Sequence, residues 1–291
     1  MKKTMLASLL LALTVSISTA AGDEWMTDFE AAKQKAAAEN KDLLVDFTGS
    51  DWCGWCIKLV DEVFKHDAFK KGVADNFVLV ELDFPQDKSK LDESTQKQNE
   101  LLKEKYSIQG FPTILLLDHQ GRPYAQTGYQ AGGPEKYLTH LDGLLAVKKQ
   151  RDEAFSAAEK LEGTAKAKAL VAALKLLPDD QLSHYGDITG QIEALDPEDE
   201  SGFMTALNRK QAKTNLEKEY MAAMRSGKHD EAIAMIDKFI ANHPIEGEEK
   251  QGVLGMKMNP LLAGQQFDSA AELLDELVTI APESRIGKFA N

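Results

Sequence analysis

The chain has 291 residues, 43% apolar and 28% charged, with a formal net charge of −13 and two cysteines. That length leaves room for about two domains, and the acidic balance argues against nucleic acid or an anionic membrane surface as partner. Both cysteines fall in one C-x-x-C, so none is left over for a structural disulfide.

At the start, Lys2 and Lys3 precede an apolar run from Met5 to Leu13, interrupted by Ser8, and small residues lead to Ser18-Thr19-Ala20. This pattern reads as a secretory signal peptide over 1–20, with cleavage after Ala20. The run is short for a transmembrane helix, and no membrane span is expected after cleavage. Loss of Lys2 and Lys3 takes the formal charge from −13 to −15. The mature protein is therefore expected to be periplasmic or secreted, where disulfides persist and an unpaired dithiol implies redox work.

Residues 21–147 alternate between strand and helix patterns. Thr27 or Asp28 can cap an alanine-rich helix to about Asn40, and Leu43 to Phe47 is a short buried strand. Cys53 then opens an amphipathic helix to Phe64, with Cys53, Cys56, Ile57, Val60, Val63 and Phe64 on the apolar face. Val78 to Leu82 is the next strand, followed by a polar stretch and a charged helix ending near Tyr106. Ile114 to Leu117 and Arg122 to Thr127, joined by a turn with Gly121, form an antiparallel hairpin. A last helix is expected from Glu135 to Leu145. The order βαβ then ββα predicts a mixed sheet covered by helices.

Cys53-Gly54-Trp55-Cys56 carries the chemistry. Two cysteines three apart at a helix start can close a small ring, and the free N–H groups there favour an anion on the first sulfur. Thiol–disulfide exchange needs one thiolate to attack and a second thiol to resolve the mixed disulfide. Cys53 suits the first role and Cys56 the second. A zinc site would require another Cys or paired His ligands, which the sequence lacks, so no metal is expected. A purely structural bridge would close only a four-residue loop and stabilise little. Trp52 is expected to pack on the active-site turn, and Trp55, between the thiols, to contact substrate. The thiols carry the electrons themselves, and no cofactor is expected.

Residues 148–291 contain no convincing strand and are expected to be all-helical. Leu170, Leu174 and Pro178, then Ile236, Ile240 and Pro244, then Leu274, Val278 and Pro282 end three stretches alike. Asp230 and Ala232 recur as Asp268 and Ala270, a period of 38 residues. This is compatible with helical-hairpin repeats of the tetratricopeptide kind and with an irregular bundle.

Val45-Asp46-Phe47 ahead of Trp52-Cys53-Gly54-Trp55-Cys56, and Gly110-Phe111-Pro112-Thr113 ahead of an apolar strand, resemble the thioredoxin superfamily over about Trp25 to Val147. Asp51-Trp52-Cys53 with Val63, Phe64 and Phe69 resembles secreted thioredoxin-like modules and the C-terminal domain of thiol:disulfide interchange proteins. The resemblance implies an α/β thioredoxin fold and thiol:disulfide oxidoreductase activity. It also implies a cis Pro112 beside the dithiol, with Phe111 and Pro112 shaping the substrate groove. Asp46 resembles the buried acid that deprotonates the resolving thiol, but stands one residue farther from the first cysteine, and Glu81 occupies the place of the family's partner lysine. Asp46 is thus read either as a general base toward Cys56 or as an exposed strand-end aspartate.

The expected partners are disulfide-containing exported proteins and a separate thiol protein that exchanges electrons. Asp51 disfavours a thiolate on Cys53, which leans toward a reductase, with an oxidase or isomerase as the alternative. A third reading makes the helical half a binding or chaperone module on a thioredoxin-like scaffold.

Overall fold

A computed structural model describes residues 25–289; the expected signal peptide lies outside the described residues. The chain divides into two compact units. One comprises the residues up to Glu153 together with Leu176–His184, the other Ala154–Lys175 and the chain from Tyr185.

The first unit is a five-stranded mixed sheet in the order β1-β3-β2-β4-β5. Its strands are β1 (Trp25–Met26), β2 (Asp42–Thr48), β3 (Phe77–Asp83), β4 (Thr113–Leu117) and β5 (Pro123–Thr127). The central β2 is buried throughout; it pairs parallel with β3 and antiparallel with β4. A strand covered on both faces reads as a continuous apolar run, which is why Leu43 to Phe47 lacks strict alternation. The hairpin of β4 and β5 forms as expected.

Side chains alternate across β2, so Leu43, Val45 and Phe47 share one face and Leu44, Asp46 and Thr48 the other. The first face packs with Phe29, Ala32 and Ala36 of α1 (Phe29–Glu39) and Leu102 of α4 (Glu93–Lys105). Asp28 caps α1 by accepting the Ala31 N–H at 2.9 Å, and Asn40 closes it in the left-handed region at φ 51°. These are the ordinary start and stop devices of a helix.

On the other face, the aromatic rings of Phe64, Phe69 and Tyr137 meet with centroids 4.8–6.1 Å apart. They come from the Cys-bearing helix, from α3 (Asp67–Val73) and from α5 (Gly133–Ala158). The helix expected to stop at Leu145 thus continues to Ala158, and the division between the units falls inside it. Lys148 and Arg151, on that continuation, bond back to Asp42 at the start of β2 and Asp118 after β4.

The second unit is helical, with α6 (Gly163–Leu174), α7 (Gly186–Leu195), α8 (Phe203–Arg225), α9 (His229–Asn242), α10 (Gly247–Gly255), α11 (Met258–Ala263), α12 (Phe267–Ile280) and α13 (Arg285–Phe289). One core joins Leu216 and Tyr220 of α8 to Ala232, Ile236 and Phe239 of α9 and Val253 of α10. A second joins Leu254 and Leu261 to Ala270, Leu273 and Leu277 of α12. Buried Gln251 ties these elements by donating to the carbonyls of Leu277 and Ala281 at the end of α12. No helix among the described residues is long and apolar enough to cross a membrane.

Candidate active site

β2 delivers the chain to the turn Gly49–Trp52, and Cys53 then stands as the N-cap of α2 (Gly54–Leu59) with extended backbone, φ −83° and ψ 100°. The turn is closed by Cys53 N–H donating to the Gly49 carbonyl at 2.9 Å. Position 49 must be glycine, because a Cβ there would stand 2.6 Å from Cε2 of Trp52. Cys53 and Cys56 are joined in a disulfide with their Cα atoms 5.2 Å apart. The Cys56 N–H donates to Cys53 Sγ at 3.2 Å. A sulfur that already accepts a helix N-terminal N–H is placed to hold negative charge once reduced.

The helix continues past Leu59 as a π-helical turn, Val60–Phe64. Its buried face is Cys53, Cys56, Leu59, Val63 and Phe64, whereas Ile57 and Val60 are 43% and 37% exposed. The expected burial of Ile57 and Val60 is therefore corrected. Both arcs satisfy the i, i+3, i+4 spacing, and packing on the sheet selects the one containing Leu59.

Trp52 and Trp55 are 44% and 59% exposed. Trp52 donates its indole N–H to the Phe84 carbonyl at 2.8 Å and meets Phe111 edge-on at 5.8 Å. It is anchored to the turn while keeping one side open. Trp55 lies 5.2 Å from the Tyr129 ring, with the Lys58 ammonium 5.2 Å from its centroid and 5.0 Å from that of Tyr129. Tyr129 in turn donates to Glu62 at 2.5 Å. Tyr129 escaped the sequence reading, since a residue in a distant loop carries no spacing signal, whereas Lys58 and Glu62 fall on the polar face of the Cys-bearing helix.

The Phe111–Pro112 peptide bond is cis, and both residues are half-buried. Phe111 packs on Trp52 and on Phe84, whose ring centroid is 5.1 Å away. The proline loop and the dithiol turn therefore share an aromatic contact.

Asp46 is 2% exposed and lies beside Glu81 in the β2–β3 register. Its Oδ1 has no hydrogen-bond partner. Burial, with Glu81 and Asp83 adding like charge, pushes its carboxyl well above the usual range. Of the two readings of Asp46, the buried acid matches this environment. By alternation it sits on the sheet face covered by the Cys-bearing helix.

A carboxyl whose native pKa lies above its unfolded value binds its proton more tightly when folded. Stability is then lost as pH rises from about 4 through the native pKa, by at most about 1.4 kcal/mol per pH unit. Asp46→Asn in the disulfide form is expected to remove this slope. Denaturation at a series of pH values checks it, and parallel curves for the two proteins would refute it.

Asp51, in contrast, is held down to about 2, chiefly by the Gln86 N–H and further by Lys90 and the Asp87 N–H. Among the described residues no group of His, Cys, Asp and Glu is arranged to hold a metal ion.

A disulfide-forming C-x-x-C at a helix N-terminus, next to a cis-proline loop, defines a thiol:disulfide oxidoreductase site. The family described as a thioredoxin-like domain matches residues 29–144. The chain is 34% identical over 129 residues to the disulfide bond reductase DsbH of Chlamydia pneumoniae, covering 44% of this chain and 76% of DsbH. It is 35% identical over 154 residues to the thioredoxin-related protein DsbJ of Chlamydia pneumoniae, covering 48% of this chain and 44% of DsbJ. A solved DsbH oxidoreductase is 31% identical, with a TM-score of 0.41, covering 48% of this chain and 95% of that one. The chain belongs to the thioredoxin superfamily.

Proposed function

We propose that the protein is an extracytoplasmic reductase of disulfides in exported proteins, re-reduced by a separate thiol protein. The observation that carries this reading is the placement of Cys53 Sγ at the α2 N-terminus, accepting the Cys56 N–H and flanked by the open faces of Trp52 and Trp55. The leader-like run before Ala20 supports export, and the name of DsbH supports the reducing direction.

In the reduced protein the Cys53 thiolate attacks one sulfur of a substrate disulfide. A Cys53–substrate bond forms, the substrate S–S bond breaks, and one substrate thiolate leaves. Cys56 then gives up its proton, with Asp46 as the buried base, and attacks Cys53 Sγ. The second substrate thiolate leaves, and the Cys53–Cys56 disulfide of this structure is formed. Two electrons have passed to the substrate, and a dithiol partner must return them. Phe111 and Pro112 form the wall against which the substrate segment lies, and Trp55 contacts its side chains. The helical unit, with α9 and α12 as units of a hairpin repeat, supplies surface for partner proteins.

The test is the reduction potential measured against glutathione, together with reduction of insulin by the dithiol form. A value nearer about −270 mV than about −120 mV is expected. A value at the oxidising end, with no reduction of insulin, would assign the oxidase direction instead.

A further inference from the structure

Three consecutive residues of the turn before the dithiol are each bonded to one segment, Asp83 to Lys90, that runs on from the last residue of β3. Ser50 donates its N–H and hydroxyl to the two carboxylate oxygens of Asp83 at 2.8 and 2.6 Å. Asp51 accepts the N–H groups of Gln86 and Asp87 at 2.8 and 3.2 Å and the Lys90 ammonium at 3.0 Å. Trp52 donates to Phe84, and the Phe84 ring meets Phe111 of the cis-proline loop. The extra residue in the 48–51 turn, relative to the thioredoxin pattern, thus lies in a turn whose contacts reach the cis-proline loop.

We propose that Asp51 and Lys90 are a positioning pair that sets the reduction potential of the dithiol, Asp51 opposing the Cys53 thiolate and Lys90 favouring it. This deepens the reading of Cys53 and Cys56 as the working couple and rests on it. Asp51 stands two residues before the attacking sulfur, and a carboxylate there disfavours a second negative charge nearby. Lys90 offsets that charge by its ion pair with Asp51 Oδ2. Reduction takes up two electrons and leaves Cys53 as the more acidic thiol, so whatever favours its thiolate favours the reduced form and raises the potential. The other charges on the elements that carry and flank the dithiol include Asp46, Glu81, Asp83, Asp87 and Lys88, with Lys58, Asp61 and Glu62 on the helix and Lys103 over the Phe84 and Phe111 rings. They stay constant in the comparison.

The pair is partly exposed, with side chains 46% and 19% accessible, so screening keeps the effect small. Lys90→Met is expected to lower the equilibrium constant for reduction by glutathione about threefold, which is about 14 mV more reducing. Asp51→Asn, whose amide oxygen can still accept from Gln86, is expected to raise it by a similar factor. The double variant should return close to the starting value. The pKa read from the pH dependence of Cys53 alkylation should move opposite to the potential, upward for Lys90→Met and downward for Asp51→Asn. Shifts of equal sign, or altered thermal stability with an unmoved potential, would overturn the pair's role while leaving the reductase reading intact. A couple that fails to equilibrate with glutathione in the unaltered protein overturns both.

Discussion

Cys53→Ser is expected to reduce disulfide turnover to the buffer background, while Cys56→Ser retains attack and accumulates a mixed disulfide at Cys53. A serine hydroxyl at neutral pH neither attacks a disulfide sulfur nor closes a disulfide, so the first loss is complete. In the second variant the attacking sulfur keeps its place at the α2 N-terminus, but no thiol remains to expel the bound partner. The two variants therefore differ qualitatively. Mass spectrometry of the intact protein after exposure to a disulfide peptide reads the adduct directly, and periplasmic extracts would identify the natural partners. An adduct on Cys56 in Cys53→Ser, formed as fast as that on Cys53 in Cys56→Ser, would reverse the assigned roles.

Arg151→Met is expected to destabilise the first unit by about 3 kcal/mol, the cost of breaking a buried ion pair from one side. Arg151 is 1% exposed, with its guanidinium 5.6 Å from the Tyr124 ring centroid, 3.5 Å from Asp118 and 2.6 Å from Asp152. Asp118 is itself 3% exposed and also accepts the backbone N–H groups of Gln120 and Arg122, so it cannot turn out to water without undoing the β4–β5 turn. Arg122 Nε remains 3.0 Å from Asp118, which keeps the loss at the lower end of the usual range for such pairs. All three tryptophans, Trp25, Trp52 and Trp55, lie in this unit, so urea denaturation followed by tryptophan fluorescence reports on it alone. A loss below about 1 kcal/mol would show that the charges are better solvated than their burial implies. Pairing the change with Asp118→Asn should cost less than the two single changes together, because the buried group that loses Arg151 then carries no charge. The dithiol is expected to retain its potential in the folded variant.

Strand cores and helix caps are local properties, and they were legible. Leu43 to Phe47, Val78 to Leu82 and Ile114 to Leu117 are apolar runs of strand length, and Asp28 caps α1 through its own side chain. The two-residue strand β1 was missed because Trp25 and Met26 are too few to show a period and gain strand geometry only by pairing with Leu79 and Val80. The length of α5 was missed because nothing between Leu145 and Ala158 breaks a helix, while the change in composition after Lys148 suggested a boundary. At the site, the partners of Asp51 come from the segment after β3, and Tyr129, which meets Trp55, comes from the loop after β5, so no local spacing joins them.

The sequence by itself determined the dithiol and the proline loop near it, because a C-x-x-C at a strand-to-helix junction and a G-F-P-T before a strand are short-range patterns. Only the tertiary structure decided that Asp46 is a desolvated acid, that Leu59 and not Ile57 or Val60 faces the sheet, and that Lys90 meets Asp51. Burial and ion pairing depend on what the other strands and loops bring within a few ångströms, and charge effects follow that distance and the local solvent rather than position along the chain.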